Sequence, residues 1–376
     1  MQKEYVIGFD FGDQFAHLCF IEYIDNDTKK DGKVFDLTDP YVHKQNGIPS
    51  AFFYSKKRGI LVGADAAKAV PKENCIRYLQ RDLLKKGRYN SVIIDGREFT
   101  YQEMLLAVAQ HVIRSAAKEL ERMLHIKTNK VAFSCPANMS TIDKKFLISI
   151  LENITLEDGT NIEIIGTIAE PAAVTLDYLA VSKIHHDATV LVADLGSESF
   201  DVSILKAFPD GRQYSESITY YYNVLFFDTF DEISNKKFAD CMKKVVLRKL
   251  VDVEITPRFV QSLDFQIEYI MEKLETADIY QPDIMLPNGN FIDDITRAEF
   301  EDESSQLLNK LLCIVERIIN ANIDINLDYI ILTGVGAKMP MLEYSFKERF
   351  SKYAKKIDSH VCPNSIASAA SRYFSK

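Results

Sequence analysis

The chain has 376 residues, of which 47% are hydrophobic, and it carries a formal net charge of −9. This length and apolar content suffice for two or three domains with their own cores. The negative balance, with no evident basic cluster, argues against a nucleic-acid partner, and the lack of an apolar run of about 18 residues argues against a membrane span. Six scattered cysteines without a Cys-x-x-Cys pair favour a reducing, cytoplasmic compartment over a zinc site.

A strand, a tight turn and a second strand occur twice in the chain. The first copy is "YVIGFDFGDQFAHLCFIEY", with its turn at Asp10–Gly12, and the second is "TVLVADLGSESFDVSILKA", with its turn at Asp194–Gly196. A carboxylate and several backbone N–H groups at a strand end are suited to a phosphate and its divalent metal. A single hairpin with glycine at its turn is far more often only a hairpin. Recurrence in both halves therefore predicts a nucleotide cleft between them.

Strands and helices alternate between the two copies. Strands are predicted at "IPSAFFY" and "GILVG", followed by a basic helix at "QRDLLKKG". Apolar residues spaced as on one helix face predict a long amphipathic helix over "TYQEMLLAVAQHVIRSAAKELERML". A buried strand at "KVAFSCPAN", a helix at "TIDKKFLISILENI", a strand that ends in a turn at Pro171, and a helix at "AVTLDYLAV" complete the first half.

The second half follows the same order from about residue 187. After the hairpin, helices are predicted at "FADCMKKVVLRKLV" and "DFQIEYIMEKLETA". A Pro-Asn-Gly turn at 287–289 separates two short strands, a long helix starts at Arg297, and the strand "LDYIILTG" ends in a glycine-containing loop. Such alternation predicts layered α/β domains, which bind ligands beyond the strand ends.

Five strings together resemble the nucleotide-binding domain of DnaK-type heat-shock chaperones, the heat-shock protein 70 family within the actin-like ATPase superfamily. They are "LVGADAAKA", "AEPAAVTLDYL", "DLGSESFDVSIL", "DITRAEFE" and "ILTGVGAKMP". The resemblance implies a two-lobed α/β actin-like ATPase fold with duplicated subdomains, with lobe I at 1–184 and lobe II at 185–376. It also implies that the chain ends near the close of the ATPase domain, before any peptide-binding β-domain.

The family's site residues carry over position by position. Asp10 and Asp194 would hold a hydrated Mg²⁺, Glu170 would orient a metal-bound or attacking water, and Asp201 would support the second turn and the metal. Arg81 falls about where the family has its catalytic Lys. The cofactor would be ATP or ADP with Mg²⁺. The positions that would contact nucleotide are Gly12, Asp13, Gly196, Ser197, Glu198, Ser199, Phe226, Phe227, Glu268, Gly334, Gly336 and Lys338, the last three in the adenosine-side loop Gly334–Pro340.

Departures from the family pattern concentrate on the phosphate side. Asp13 stands where the family has a small Thr, and Ser197 and Glu198 stand where it has glycines. Glycine is usual in such turns because a side chain obstructs backbone contact with phosphate. Each added carboxylate would disfavour a phosphate charge at 4 Å by about 4 kcal/mol at an effective dielectric near 20.

Other departures affect a third phosphate loop and the adenine side. Phe226 and Phe227 replace two glycines of that loop, and they are expected to fill a core or the space of the γ-phosphate. The adenosine-clamping helix keeps an acid at Glu268 but loses two bases and a Ser, at Met271, Glu272 and Glu275, and Val335 replaces a glycine.

Three functions remain open from the sequence. The first is a degenerate chaperone-type module with weak or lost ATP binding, which acts as a binding or scaffold protein with a protein partner. The second is a working ATPase of the chaperone class, and the third and least favoured is a small-molecule kinase of the same superfamily. The carboxylates of the two turns are also expected either to bind Mg²⁺ or Ca²⁺ without nucleotide or to pair with Lys and Arg.

Overall fold

The computed structural model describes residues 5–26, 29–36, 47–87, 90–209, 220–250, 257–285, 291–359 and 365–374. The described residues group into two compact units. The first comprises those within Met1–Asp187, Lys206–Val224 and Val361–Lys376, and the second those within Ala188–Leu205 and Leu225–His360. The predicted lobe limits, 1–184 and 185–376, stay a prediction.

The first unit is a mixed α/β structure. Its strands are β1 Ile7–Phe11, β2 Phe15–Asn26, β3 Lys29–Asp36, β4 Ile48–Pro49, β5 Phe52–Ser55, β6 Gly59–Val62, β7 Cys75–Ile76, β8 Ser91–Ile94, β9 Arg97–Thr100, β10 Lys130–Cys135 and β11 Glu163–Ala169. Its helices are α1 Gly63–Lys68, α2 Leu79–Lys86, α3 Tyr101–Leu124, α4 Thr141–Leu151, α5 Glu170–Val181 and, near the end of the chain, α10 Ser365–Phe374.

The second unit is also mixed. Its strands are β12 Ala188–Leu195, β13 Phe200–Pro209, β14 Tyr220–Phe230, β15 Ile279–Tyr280, β16 Ile295–Thr296, β17 Tyr329–Thr333 and β18 Lys356–Asp358, of which the outer ends of β13 and β14 group with the first unit. Its helices are α6 Asn235–Arg248, α7 Pro257–Thr276, α8 Arg297–Ala321 and α9 Pro340–Phe350, and a 3-10 turn spans Val335–Lys338. The α/β class predicted from alternation is confirmed.

The main sheet of the first unit has the order β11–β10–β1–β2–β3, with β4 paired to β2. Strand β1 is parallel to β10 and antiparallel to β2, so the first repeated hairpin lies at the centre of the sheet. Helix α10 packs against β1, β2, β10 and α5. A Cβ built on Gly8 would lie 1.9 Å from the carbonyl oxygen of Ala367, so this close approach of helix to strand requires glycine.

The amphipathic helix predicted in the first half is confirmed as α3. The Thr100 hydroxyl caps it by accepting from the Glu103 backbone N–H, and the Glu103 carboxylate completes a capping box by accepting from the Thr100 backbone N–H. The apolar residues on which the prediction rested are all buried: Met104, Leu105, Val108, Val112, Ile113, Ala116 and Leu120. This single helix face supplies a large part of the core under the first sheet.

The turn predicted at Pro171 is wrong. Helix α5 begins at Glu170 directly after β11, with Pro171 in its first turn. Proline is tolerated there because the first N–H groups of a helix have no intrahelical acceptor, and its fixed φ already suits a helix. The chain therefore passes from strand to helix without a connecting loop.

The second repeated hairpin, β12 and β13, belongs to a five-stranded sheet ordered β14–β13–β12–β17–β18. Strand β12 runs parallel to β17, and helices α6, α7, α8 and α9 contribute the apolar residues that pack against this sheet. The predicted Pro-Asn-Gly turn lies outside the described residues, which include a bridge between the flanking Met285 and Phe291. No helix among the described residues has the length and apolar character needed to cross a bilayer.

Candidate functional site

The first turn follows a strand in which Asp10 is buried and held by a hydrogen bond. Strand β10 runs beside β1, and Ser134 Oγ donates a 2.6 Å hydrogen bond to Asp10 Oδ1. Burial raises the pKa of Asp10 above its ordinary value, although the nearby His17 and the bond from Ser134 act in the opposite direction. The carboxylate is therefore fixed in orientation before any ligand arrives.

His17 and Ser134 are neighbours of Asp10 that the sequence analysis missed. The antiparallel register pairs Asp10 with His17 across the hairpin. His17 Nδ1 is buried and has no hydrogen-bond partner among the described residues. The hairpin register contained the signal, because a turn at residues 12–14 sets position 17 opposite position 10. An ionisable ring thus lies beside the carboxylate expected to hold Mg²⁺.

The carboxylate added to the first turn at Asp13 has a cationic neighbour. Arg81, on α2, has Nη1 3.9 Å from Asp13 Oδ2, and its guanidinium lies 4.6 Å from the ring centroid of Tyr78. The backbone N–H of Tyr78 donates to the carbonyl of Asp13 at 3.3 Å, which ties the start of α2 to the turn. The structure therefore places Arg81 beside the first turn, where it already has an anionic partner.

Glu170 starts α5 at the end of β11. Because β11, β10 and β1 are parallel neighbours, their carboxyl ends lie at one edge of the sheet, where Asp10, Ser134 and Glu170 all occur. Glu170 is half-buried. Burial raises the pKa of the Cys135 thiol, and the charge of Glu170 adds to that rise. The structure thus brings two of the predicted catalytic carboxylates to the same sheet edge of the first unit.

The second turn, residues 196–199, is tied to the start of α6. The backbone N–H groups of Asn235 and Lys236 donate to the carbonyls of Gly196 and Ser197, at 2.9 and 3.1 Å. Glu198, the second added carboxylate, forms a 3.1 Å ion pair with Lys236 Nζ. N–H groups at the start of a helix often bind phosphate in other proteins. Here the two groups donate to carbonyl oxygens of the turn instead.

Asp201, a predicted metal residue of the second unit, has a perturbed pKa. Burial raises its pKa to about 6, the charge of Asp231 adds to the rise, and hydrogen bonds with Thr229 and Ser199 oppose it. Its Oδ1 atom is buried without a hydrogen-bond partner among the described residues. A buried carboxylate oxygen with an unused lone pair is a natural ligand for a hard cation.

Phe226 and Phe227 lie within β14, which continues to Phe230. The positions that carry two glycines in the resembled loop are therefore part of a regular strand. Phe226 packs against the core of the second unit, and Phe227 is half-buried. Phe226 thus contributes to the core of the second unit, in agreement with the core interpretation of this residue.

On the adenosine side, helix α7 keeps an exposed acid at Glu268. Met271 is turned into the core, and Glu275 is half-buried. Burial raises the pKa of Glu275, and Lys338 opposes the rise from the neighbouring loop. Lys338, which stands at the position expected to cover the adenine face, thus already lies close to an acidic side chain of this chain.

The loop after β17 retains a close backbone approach. Gly334 has a φ of 89°, and a Cβ built there would lie 2.3 Å from Asp194 Oδ1. Gly336 is buried against Leu195, whereas Val335 exposes its side chain. Gly334 therefore brings this loop against the carboxylate of the second turn, a geometry that only glycine permits.

The oxygen donors of each unit are of the type that hard cations prefer. In the first unit Asp10 and Glu170 offer carboxylate oxygens, and in the second unit Asp194 and Asp201 do so, with one buried oxygen of Asp201 that has no hydrogen-bond partner among the described residues. Within the described ranges, no three His, Cys, Asp or Glu side chains gather into a ready metal centre. The phosphate side instead carries Phe226 and Phe227 on a strand and two added carboxylates paired with Arg81 and Lys236. The roles assigned to these residues stay predictions.

Comparison of the sequence with known proteins identifies a family for the chain. Residues 85–364 match the sequence model of the family described as Hsp70 protein. The chain is 29% identical over 369 residues to the chaperone protein DnaK of Thermotoga neapolitana and 28% identical to that of Thermotoga maritima. These alignments cover 94% of this chain and 57% of each relative. The DnaK of Thermosipho africanus is 28% identical, with 93% of this chain and 56% of that protein covered.

The chain therefore spans a little over half the length of the relatives that it matches. The family match covers well over half of the chain. The mixed sheets and helices agree with the actin-like ATPase fold of that family. The chain belongs to the Hsp70 family.

Proposed function

We propose that this chain is an Hsp70-family module in which nucleotide binding is weakened or lost, and that it works as a binding or scaffold protein. The observation that carries the proposal is the continuation of β14 through Phe226 and Phe227. A phosphate oxygen needs backbone N–H groups without obstructing side chains, and two consecutive aromatic residues in a strand place bulky rings on both of its faces. A cytoplasmic location and a protein partner are parts of the same proposal.

Repulsion between the added carboxylates and a phosphate also disfavours nucleotide binding. This repulsion is weaker than the sequence alone predicts. Asp13 and Glu198 each have a cation within 4.0 Å, which offsets part of the repulsion expected between their carboxylates and a phosphate. The same pairs occupy Arg81 and Lys236, two cations near the turns. Phosphoryl transfer depends on positioned cations that stabilise the transferring group, so their engagement elsewhere weakens the ATPase interpretation.

A working ATPase is the second candidate, and specific observations favour it. Asp201 presents a buried oxygen without a partner, and Gly334 keeps the tight backbone approach to Asp194. Both features are those of a site that still accepts a cation and a ligand. The two-lobed cleft, with Asp10 and Asp194 facing one nucleotide, belongs to this candidate and stays a prediction.

Calorimetric titration with ATP and ADP in the presence of Mg²⁺ separates the two candidates. The ATPase domain of the Thermotoga maritima relative serves as the positive control. We expect this chain to bind much more weakly than the control, or with no detectable heat. A submicromolar dissociation constant, roughly −8 kcal/mol or better, would establish the ATPase instead.

A further inference from the structure

The first unit carries a concentration of positive charge that contrasts with the rest of the chain. Residues 47–100 contain eleven Lys and Arg and five Asp and Glu, a net charge of +6, whereas the whole chain carries −9 and the remainder therefore −15. The total charge hides this contrast, which is why no basic cluster was evident from the sequence. Charge asymmetry of this size marks surfaces that attract oppositely charged partners.

Two neighbouring hairpins bring part of this charge together. The turn between β5 and β6 contains Lys56, Lys57 and Arg58, and β9 begins with Arg97. All four side chains are exposed. We call these four residues the basic hairpin patch. Among the described residues, none of the four forms an ion pair with a carboxylate.

The two hairpins are fixed against each other. The backbone N–H of Lys56 donates to Asp95 Oδ2 at 2.7 Å, which joins the two turns. The ring of Phe99 packs on Phe52 and Tyr54, with centroids 5.1 and 5.0 Å apart. Because these contacts link the hairpins at both the turn and the rings, the cations are presented on a rigid frame.

Arg97 is held in place by the same aromatic residues. Its guanidinium carbon lies 4.6 Å from the Phe99 centroid and 5.4 Å from that of Tyr54. A planar guanidinium stacked on rings loses little freedom when it binds, and its fork matches a carboxylate in a bidentate manner. The acidic side chains near the patch have other hydrogen-bond partners. Asp95 accepts from the backbone N–H of Lys56, Glu98 accepts from Ser91, and Glu103 caps α3.

The aromatic and aliphatic side chains around the basic hairpin patch indicate which class of partner it suits. Of the rings near its cations, Phe53 and Phe99 are buried, and the half-buried Tyr54 packs against Phe99 and Arg97, so none of these three is an open platform for stacking nucleic-acid bases. Each hairpin also exposes an isoleucine: Ile60, at 45% exposure, lies opposite Tyr54 in the β5–β6 register, and Ile93, at 73%, lies opposite Glu98 in the β8–β9 register. Four cations and two aliphatic side chains make a small footprint, which suits a short acidic segment better than an extended polyanion such as a membrane or a nucleic acid.

We propose that the basic hairpin patch is a docking surface for an acidic segment of a protein partner. Carboxylates of the segment would pair with Lys56, Arg58 and Arg97, and an aliphatic side chain of the segment would cover Ile60. The inference does not depend on the state of the nucleotide site, because none of these residues belongs to the two turns or the adenosine-side loop. It gives a chemical identity to the partner of the scaffold function.

Fluorescence anisotropy with three labelled probes tests this inference on the full chain. The probes are a short peptide in which Glu alternates with Leu, a single-stranded oligothymidylate, and vesicles containing phosphatidylserine. We expect the peptide to bind at low salt and to weaken as salt increases. The double variant Lys56→Glu/Arg58→Glu should weaken its affinity by about tenfold or more.

The matched control is Lys145→Glu/Lys352→Glu, which makes the same change in net charge at exposed positions outside residues 47–100. It should leave peptide binding within about twofold of the unmodified chain. All four substituted residues are exposed, so equal thermal melts will show that the fold is intact. Absence of peptide binding at millimolar concentration, equal loss in the control, or tighter patch-dependent binding of the oligonucleotide or the vesicles would each overturn the proposal.

Discussion

The buried carboxylate of Asp177 makes stability depend on pH in a defined direction. Asp177 lies on α5, accepts a 2.8 Å hydrogen bond from Ser368 Oγ, and has Arg372 Nη2 at 4.0 Å, both on α10. Burial raises the pKa of Asp177 to about 6, although Ser368 and Arg372 oppose the rise. The contact between α5 and α10 thus contains a carboxyl group that favours its neutral form.

The direction of this pH dependence follows from the difference in the pKa of Asp177 between the folded and unfolded chains. An unfolded aspartate has a pKa near 4, so the folded chain binds this proton more tightly. The stabilisation is fully present below pH 4 and is lost as pH rises from about 4 through about 6. Two pKa units correspond to roughly 3 kcal/mol in the free energy of unfolding.

Asp177→Asn removes the titration while keeping an oxygen that accepts from Ser368. We expect the variant to be more stable than the unmodified chain at pH 8, by up to about 3 kcal/mol, and nearly equal to it at pH 4. Urea denaturation at several pH values measures the difference between the two proteins, in which other titrating groups cancel. Asp240→Asn, at an exposed position on α6, is the control and should show no such trend. A difference between Asp177→Asn and the unmodified chain that does not change with pH would refute the reasoning.

Three further predictions concern the candidate site. Gly334→Ala should destabilise the chain by about 2 kcal/mol or more, since its Cβ would meet a carboxylate oxygen at 2.3 Å, whereas Gly159→Ala, with a similar φ and open space, should show only the cost of left-handed backbone, about 1 kcal/mol, in urea melts. Stabilisation by millimolar Mg²⁺ or Ca²⁺ in thermal melts should weaken below pH 6 as Asp201 becomes protonated, and Asp201→Asn should abolish it. Replacing Phe226 and Phe227 by Gly should destabilise the fold without creating MgATP binding.

The parts of the fold that were predictable are those in which local signals agree. Helix α3 was predicted from its 3.6-residue apolar period, and the structure shows that helix with a Thr100–Glu103 capping box at its start. The two hairpins combined buried strands with glycine at the turn. Such elements form because propensity, patterning and caps favour the same state.

The parts that were not predictable depend on register and on distant neighbours. Pro171 was interpreted as a turn because proline more often breaks a helix than starts one. Ser134 reaches Asp10 across 124 positions of sequence, through the parallel pairing of β1 and β10. The pairing of Asp13 with Arg81 likewise required α2 to be placed beside the first turn. No local pattern encodes such contacts, although the hairpin register did encode the pairing of Asp10 with His17.

Phe226 and Phe227 decide whether β14 replaces the phosphate loop or only covers it. Phe226 packs on the core of the second unit and both rings are half-buried, so truncation to Gly should cost about 2 kcal/mol per site, less than the 3–5 kcal/mol of a fully buried Phe. Leu225→Gly, at an exposed position of the same strand, controls for the effect of glycine on strand stability.

Urea denaturation and MgATP calorimetry on the double variant then give distinguishable outcomes. If β14 is structural, the variant loses about 4 kcal/mol in total, more than the control, and shows no ATP heat, because the carboxylates of Asp13 and Glu198 remain in the two turns. If the variant is as stable as the control and binds MgATP, the two rings are a plug over a competent site. Stability of the strand and affinity for nucleotide would then be coupled through the same two side chains, and the chain would be a gated ATPase rather than a scaffold.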